Sequence, residues 1–493
     1  AIASLLLSAT MATSSIAPSA VAGGVSTHVT IPSHHGDLLP VLQRANLPAK
    51  VVKFTPLSSV EQANAEGVRL AVEYEQSSDS NTNNESTCAA APSELFVKQV
   101  DASHYSHKAW ADLRRTLLYS RTEARFYGEL LPLLNSSGKL TTSHLAPDCH
   151  LAECNLEGLV GEEETATDVS HIPSALVANA AENGTTTATP TTGDDLVSPD
   201  LLQGKGGALV LTSLGSDKYF QKSPLSPHQA STCLAAVARL HAACWEDKSI
   251  LSVVAHRLSD MGGSYNLAVR NPKELRNMVA SWEYFRTNFR DMDVELFDRE
   301  SVKNLGQRVY DNAAYISQAV SPKHTDAYAT CVHGDFKAMN VFLPTDESGS
   351  EDAVLIDFAS TGVGLGLSDV AMHLAHALRP DDLADGGEEA LVDEYLSALD
   401  AERRRTVRAE NLHTYQPYPR DVAMKHYKLA SVDYFRFILG RFWRSATPET
   451  FDKRKDSPNS TLVNRNAEAA LAFVERVDRY LAEIEVERKS VAK

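Results

Sequence analysis

The chain has 493 residues, 43% of them hydrophobic, and a formal net charge of −17. That length exceeds one compact core and suffices for two lobes with appendages. The acidic balance disfavours a main role on DNA or RNA backbones, and no stretch approaches the ~20 apolar residues that a membrane helix needs.

Residues 1–50 read as a disordered leader or a targeting segment. Ala1 to Gly24 carry no charged side chain, Leu5 to Leu7 resemble an apolar signal core, and Ala20-Val21-Ala22 resembles a cleavage site. Folded sequence is expected from about Val51. Val68, Leu70, Val72 and Tyr74 alternate with polar or small residues, a period of two that predicts a strand. A polar loop, Ser77 to Thr87, leads to a second strand, Glu94 to Val100. From about Tyr105 to Leu134 the spacing of Leu113, Leu117, Ala124, Tyr127 and Leu131 predicts a helix, with Pro132 near its end. Cys149 to Leu156 suggests another strand.

Between Leu140 and Gly204 there is no Lys or Arg, and Glu162-Glu163-Glu164 and a Thr-rich run stand out. An acidic, partly disordered insertion is expected over about 157–205. A strand from Ala208 to Leu214 follows, then a largely helical remainder. Residues 51–215 thus form a small strand-rich lobe and 216–493 a larger helical one, a bilobal α+β class. The six cysteines are sparse and irregularly spaced, so no disulfide framework is indicated. Cys149, His150 and Cys154 lie close together, but without a second ligand pair they read as buried thiols rather than a metal site.

The chemistry concentrates in CVHGDFKAMNVFLP (Cys331 to Pro344) and AVLIDFASTGVGLGLSDVA (Ala353 to Ala371). Asp335 sits in a short loop. Asn340 opens one apolar strand and Asp357 ends the next. If the strands pair as a hairpin, Asn340 and Asp357 come together with Asp335 a loop away. Converging oxygen side chains suit a hard cation such as magnesium, and phosphoryl transfer needs a group for the hydroxyl and others for the metal on the phosphates. Each carboxylate taken alone is equally an ordinary turn or strand-end residue; the combined spacing favours a site.

HGDFKAMN followed by IDFAST resembles the catalytic loop and metal motif of the aminoglycoside phosphotransferase and choline kinase superfamily. DFASTGVGLGLSDVA, LVDEYLSAL and LAAVARLHAACW make the likeness closest to its ecdysteroid-kinase-like branch. The resemblance implies a protein-kinase-like fold, ATP and Mg2+ as cofactors, and a small-molecule alcohol as acceptor. It implies that Asp335 orients or deprotonates the hydroxyl, that Asn340 and Asp357 bind the metal, that His333 braces the loop, and that Asp369 anchors it from below. Lys337 either reaches the transferring phosphate or faces solvent. Lys98, on a strand face with Phe96 and Val100, is the candidate for the α- and β-phosphates. An inward lysine needs a partner; Glu123 on the inward helix stripe is that partner, with Glu129 the alternative. Adenine is expected against Leu211 and Leu214. No GxGxxG precedes Val68, so the phosphate-covering loop is unassigned.

A kinase of this kind is expected in the cytoplasm, where ATP is available, with no obligate protein partner indicated. Rival readings are a catalytically inactive nucleotide-binding scaffold, a protein kinase, which the twelve positions from Asp357 to Asp369 leave little room for, and a choline or ethanolamine kinase. Tyr427, Tyr434, Phe435, Ile438 and Phe442 recur at helical spacing and read as core before they read as an aromatic cage.

Overall fold

The computed structural model describes residues 38–62, 65–75, 91–140, 145–165, 196–270, 272–346, 352–407 and 413–491. The first lobe is a five-stranded antiparallel sheet in the order β1-β2-β3-β5-β4. Its strands are β1 (Val51–Gln62), β2 (Ala65–Tyr74), β3 (Glu94–Asp101), β4 (Cys149–Asn155) and β5 (Gly206–Thr212). The alternation of side chains divides the sheet cleanly. Val68, Leu70, Leu95, Val97, Ala208 and Val210 face one side. Leu209 and Leu211 face the other, with Phe96 packed beside them.

Helix α1 (Leu38–Arg44) covers the first face, burying Leu38, Val41 and Leu42. Arg44 fastens it by donating two hydrogen bonds to the Glu153 carboxylate, at 2.8 and 2.7 Å. The packed chain therefore begins before Val51, inside the stretch read from the sequence as a leader. One two-turn helix is too short to announce itself by periodicity. Strand β1 was also silent in the sequence. It is an edge strand exposed along most of its length, and Pro56 sits at a register shift, where a missing N–H costs no ladder bond.

Helix α2 (Trp110–Arg125) covers the second face. The single helix expected to Leu134 is instead three pieces, because a π-helical turn, Phe126–Leu130, separates α2 from a short helix, Leu131–Ser136. The first residues of the acidic stretch are packed rather than loose. Arg114 donates to the Glu164 carboxylate at 2.9 Å, and Arg121 to the Gly161 carbonyl at 2.7 Å. Arg125 donates to the Glu162 carbonyl at 3.1 Å and pairs with its carboxylate. Residues 166–195, the middle of the expected insertion, lie outside the described residues, as do Ser77 to Thr87.

After β5 the chain runs through β6 (Tyr219–Phe220) into the second lobe, which is mostly helical. Its scaffold includes α3 (Pro227–Cys244), α4 (Pro272–Arg276), α5 (Met278–Phe289), α6 (Leu305–Ala319), α7 (Gly366–Ala377), α8 (Gly387–Thr406), α9 (Arg420–Arg441) and α10 (Ala467–Val491). A capping box starts α3: Ser226 Oγ accepts from the Gln229 amide, and the Gln229 side chain accepts from the Ser226 amide. Tyr427, Tyr434, Phe435 and Ile438 are buried on α9. Tyr427 donates to Glu388 at 2.5 Å and Phe435 meets Trp443 edge-on. These four are core, as their spacing suggested, whereas Phe442 follows the helix and is half-buried. Two small sheets, β10 (Gly362–Leu365) with β7 (Ala329–Val332), and β6 with β8 (Val341–Pro344) and β9 (Val354–Leu355), carry the loops that follow. Among the described residues, no helix is long and apolar enough to cross a membrane.

Candidate active site

Strand β7 ends at Val332 and delivers His333, Gly334 and Asp335 into the cleft between the lobes. The turn is tight. Gly334 has φ +82°, and a Cβ there would lie 2.0 Å from the Ser360 carbonyl oxygen, so only glycine fits. Buried Asp369, near the start of α7, holds this loop from below. Its Oδ2 accepts from the His333 amide at 2.7 Å and from His241 Nε2 at 3.0 Å, and its Oδ1 accepts from the Gly334 amide at 2.9 Å. His241 in turn meets the Tyr395 hydroxyl at 2.8 Å. His333 braces the other side. Its Nδ1 accepts from the Asp335 amide at 3.3 Å, which leaves Nε2 to donate to the Ile356 carbonyl at 2.9 Å.

The hairpin expected from the sequence is present, with Val341 opposite Leu355. The Ile356 amide donates to the Asn340 carbonyl at 3.0 Å, so Asn340 and the residue before Asp357 are direct neighbours. The Asn340 amide group donates to the Asp335 carbonyl at 2.8 Å and leaves its own Oδ1 as an acceptor. Asp357 has φ +66°, a left-handed conformation that costs about 1 kcal/mol or more in an L residue. Its side chain is pinned there by Lys98, which donates to Oδ1 at 2.8 Å.

Lys98 is the centre of the cluster. It pairs with Asp357 and also with Glu123 Oε2 at 2.7 Å. All three side chains are largely buried, with Asp357 the most open at 21%. Burial opposes the ammonium charge, yet the two carboxylates raise the Lys98 pKa. Burial likewise opposes the Asp357 carboxylate, but Lys98 and Lys337 hold it down to about 2. Lys337 donates to Asp335 Oδ2 at 3.1 Å, and Asp335 is the main cause of its raised pKa. It therefore faces the cleft rather than open solvent. The other helix carboxylate, Glu129, is used elsewhere: Arg257 clasps it with two hydrogen bonds at 2.7 and 2.8 Å.

Beside the cluster, Phe126 stacks on Phe358 with ring centroids 3.6 Å apart and planes at 9°. The π-helical turn thus places an aromatic face of the small lobe against the residue after Asp357. Leu211 is buried on the cleft side of β5, where its neighbour Leu209 pairs with Lys98. Leu214 falls beyond the end of the strand and is half-buried. The β1–β2 turn, residues 63–64, lies outside the described residues.

Two participants carry no sequence signal. Ser264 Oγ donates to Asp335 Oδ1 at 3.3 Å, and the Tyr119 phenol on α2 has its pKa raised by burial above all and, among smaller contributions, by the Asp335 charge. Neither belongs to a spaced motif; both arrive through tertiary packing. The Cys149–His150–Cys154 segment forms no metal site. Burial raises both thiols to about 12, keeping them protonated, and no cluster of three metal-ligating His, Cys, Asp or Glu occurs among the described residues. Asn340 and Asp357 offer one amide and one carboxylate oxygen. That is the donor set of a magnesium ion that takes its remaining ligands from phosphates and water, so the residues present fit the group.

The family model of the ecdysteroid kinase-like family matches residues 196–407, which hold β5 and both motif segments, Cys331 to Pro344 and Ala353 to Ala371. Among solved structures, a choline kinase from Cryptosporidium parvum is 9% identical with a TM-score of 0.35, covering 92% of this chain and 97% of that one. A choline kinase from Streptococcus pneumoniae is 10% identical with a TM-score of 0.35, over 89% and 97%. An aminoglycoside phosphotransferase from Streptomyces rimosus is 13% identical with a TM-score of 0.29, over 77% and 92%. No curated protein matches the sequence. The segment that carries HGDFKAMN and IDFAST thus lies within the match to the ecdysteroid kinase-like family model, and the chain folds as a strand-rich lobe and a larger helical lobe, a bilobal α+β protein.

Proposed function

We propose that the chain is an ATP- and magnesium-dependent phosphotransferase that moves the γ-phosphoryl group to a hydroxyl of a small molecule. The observation that carries this reading is Lys98 bridging Glu123 and Asp357, at 2.7 and 2.8 Å, beside the Asp335–Asn340 loop. A structural lysine needs one carboxylate; this one is held by two, from different lobes. Glu123 fixes the ammonium so that it points into the cleft, where it meets the α- and β-phosphates. Leu211, and Leu214 after it, form the apolar wall for adenine.

Asp335 receives the acceptor hydroxyl and takes its proton as the oxygen attacks the γ-phosphorus; ADP leaves. Ser264 and Asn340 fix the orientation of Asp335. Lys337, 3.1 Å from Asp335, places a positive charge where the transferring phosphoryl oxygens gather. Asn340 and Asp357 would hold magnesium, which supplies charge neutralisation on the phosphates. The rest is positioning by residues already locked in place, which is the main source of catalysis in this reaction.

The test is thermal unfolding with and without magnesium-ATP, in the wild type and in Asp357→Ala. Stabilisation of the wild type alone is expected. No shift with ATP or ADP, and with magnesium or manganese, would refute the reading in favour of an inactive scaffold.

A further inference from the structure

A concavity lies apart from the Lys98 cluster. It is a cavity of about 370 Å³ between α2 of the small lobe and the α4 and α9 region of the large lobe. Its walls carry five cationic side chains, Arg115, Arg270, Lys273, Arg441 and Arg444, against two carboxylates, Asp112 and Glu274. An excess of three positive charges gathers here in a chain of net charge −17. The internal ion pairs do not cancel it. Glu274 is shared between Arg270, at 2.7 Å, and Arg441, at 3.2 Å. Asp112 pairs with Arg115 while itself 60% exposed, where an ion pair is worth little.

Like charges held together repel, and the Arg441 guanidinium registers this. Burial and the adjacent Arg270 and Arg115 lower its pKa. Such a cluster is stabilised by an anion, and arginine forks match carboxylate, sulfate and phosphate geometry.

Two hydrogen bonds through Ser264 link Arg270 in the cavity wall to Asp335. Arg270 donates to the Ser264 carbonyl at 3.3 Å, and Ser264 Oγ donates to Asp335 at 3.3 Å. Tyr119 on α2 is a buried phenol whose pKa burial raises above all, with the charges of Arg115, Arg270, Asp335 and Arg441 also acting on it. Its hydroxyl is buried and has no hydrogen-bond partner among the described residues, so a polar group is missing at that point.

We infer that this cavity is the acceptor pocket, and that the acceptor is an alcohol carrying an oxyanion, a carboxylate, sulfate or phosphate ester, which the arginines hold while its hydroxyl reaches Asp335. The inference rests on the phosphotransferase reading and adds the substrate class. Arg270 links occupancy of the pocket to the orientation of Asp335.

Two measurements on the full chain test it, beside magnesium-ATP stabilisation of the same samples. First, sulfate replaces chloride at constant ionic strength while unfolding is followed. A saturable stabilisation is expected at millimolar sulfate, and Arg115→Gln/Arg441→Gln should need roughly 10-fold more, the loss of one charged hydrogen bond or more. Second, ADP release is measured with paired alcohols, each hydroxy acid, sulfate ester or phosphate ester beside its neutral counterpart. The anionic member should have the higher kcat/KM, by about 10-fold or more, and the double variant should collapse that ratio. Arg444→Gln, on an exposed residue, gives a smaller effect of the same sign if the double variant unfolds. Magnesium-ATP stabilisation with no variant-sensitive sulfate effect, or with neutral alcohols preferred, overturns this inference and leaves the phosphotransferase reading standing. A sulfate effect without nucleotide stabilisation overturns the phosphotransferase reading, and the acceptor role with it.

Discussion

Replacing Asp369 by Asn tests whether the catalytic loop is held from below. The carboxylate is 1% exposed and accepts three hydrogen bonds, from the His333 amide, the Gly334 amide and His241. Asparagine has the same shape but one oxygen. Placed towards His333 and His241, that oxygen leaves the side-chain NH2 facing the Gly334 N–H, two donors in contact. The loss of one charge-assisted bond is worth about 1.5–3 kcal/mol, and the orphaned amide about 1–3 more. A sum of ~3 kcal/mol or more corresponds to a fall in Tm of roughly 3 °C or more for a chain of 493 residues, at about 2 cal/mol/K of unfolding entropy per residue. Asp393→Asn is the control, because its pair with Arg420 is exposed on both sides and should cost under ~1 kcal/mol. Thermal unfolding of the three proteins decides the matter. If Asp369→Asn melts within a degree or so of the wild type, the loop has another anchor and the reasoning fails.

Asp335→Ala should lower turnover by at least ~100-fold while leaving the melting temperature near that of the wild type, the scale of losing a positioned acid–base group; undiminished ADP release would exclude Asp335 from the chemistry. Lys98→Met strands Glu123 and Asp357 together in the cleft, so it should cost about 3 kcal/mol as well as magnesium-ATP affinity; a variant that still gains full stability from the nucleotide would rule out a phosphate-binding lysine. Burial lowers the His373 pKa to about 4, below the ~6.5 of an unfolded chain. The unfolded state then takes up the extra proton, and stability is lost as pH falls from about 6.5 towards 4, by about 1.4 kcal/mol per pH unit. His373→Leu should therefore flatten the melting profile by about 2 kcal/mol between pH 6.5 and pH 5, and an unchanged slope would contradict a neutral buried imidazole.

What the sequence disclosed follows the range of the forces involved. The stretch from Cys331 to Ala371 is contiguous, and a hairpin converts its spacing directly into proximity, so Asp335, Asn340 and Asp357 were legible. Lys98 and Glu123 were legible because each lies on an apolar stripe of known period. Strand β1 was not, since an edge strand exposed on both faces has no apolar alternation to read. The acidic run at 162–164 looked like loose chain for a similar reason. Its partners, Arg114, Arg121 and Arg125, lie some forty positions earlier, spaced along one face of α2, and charge pairing leaves no periodic mark on the acidic side. The cationic cavity draws on three distant segments, so no local pattern announced it.

The packing of residues 161–164 against α2 bears on how the cleft can open. Three arginines on the back of that helix are tied to the acidic segment, Glu129 in the π-helical turn after it is clasped by Arg257 of the large lobe, and Arg125 also donates to the Arg257 carbonyl at 3.0 Å. Here the helix is riveted at both ends, like the fixed leaf of a hinge, and the moving leaf is the sheet in front of it. Any opening of the cleft that keeps these contacts leaves α2 in place and falls to the sheet in front of it.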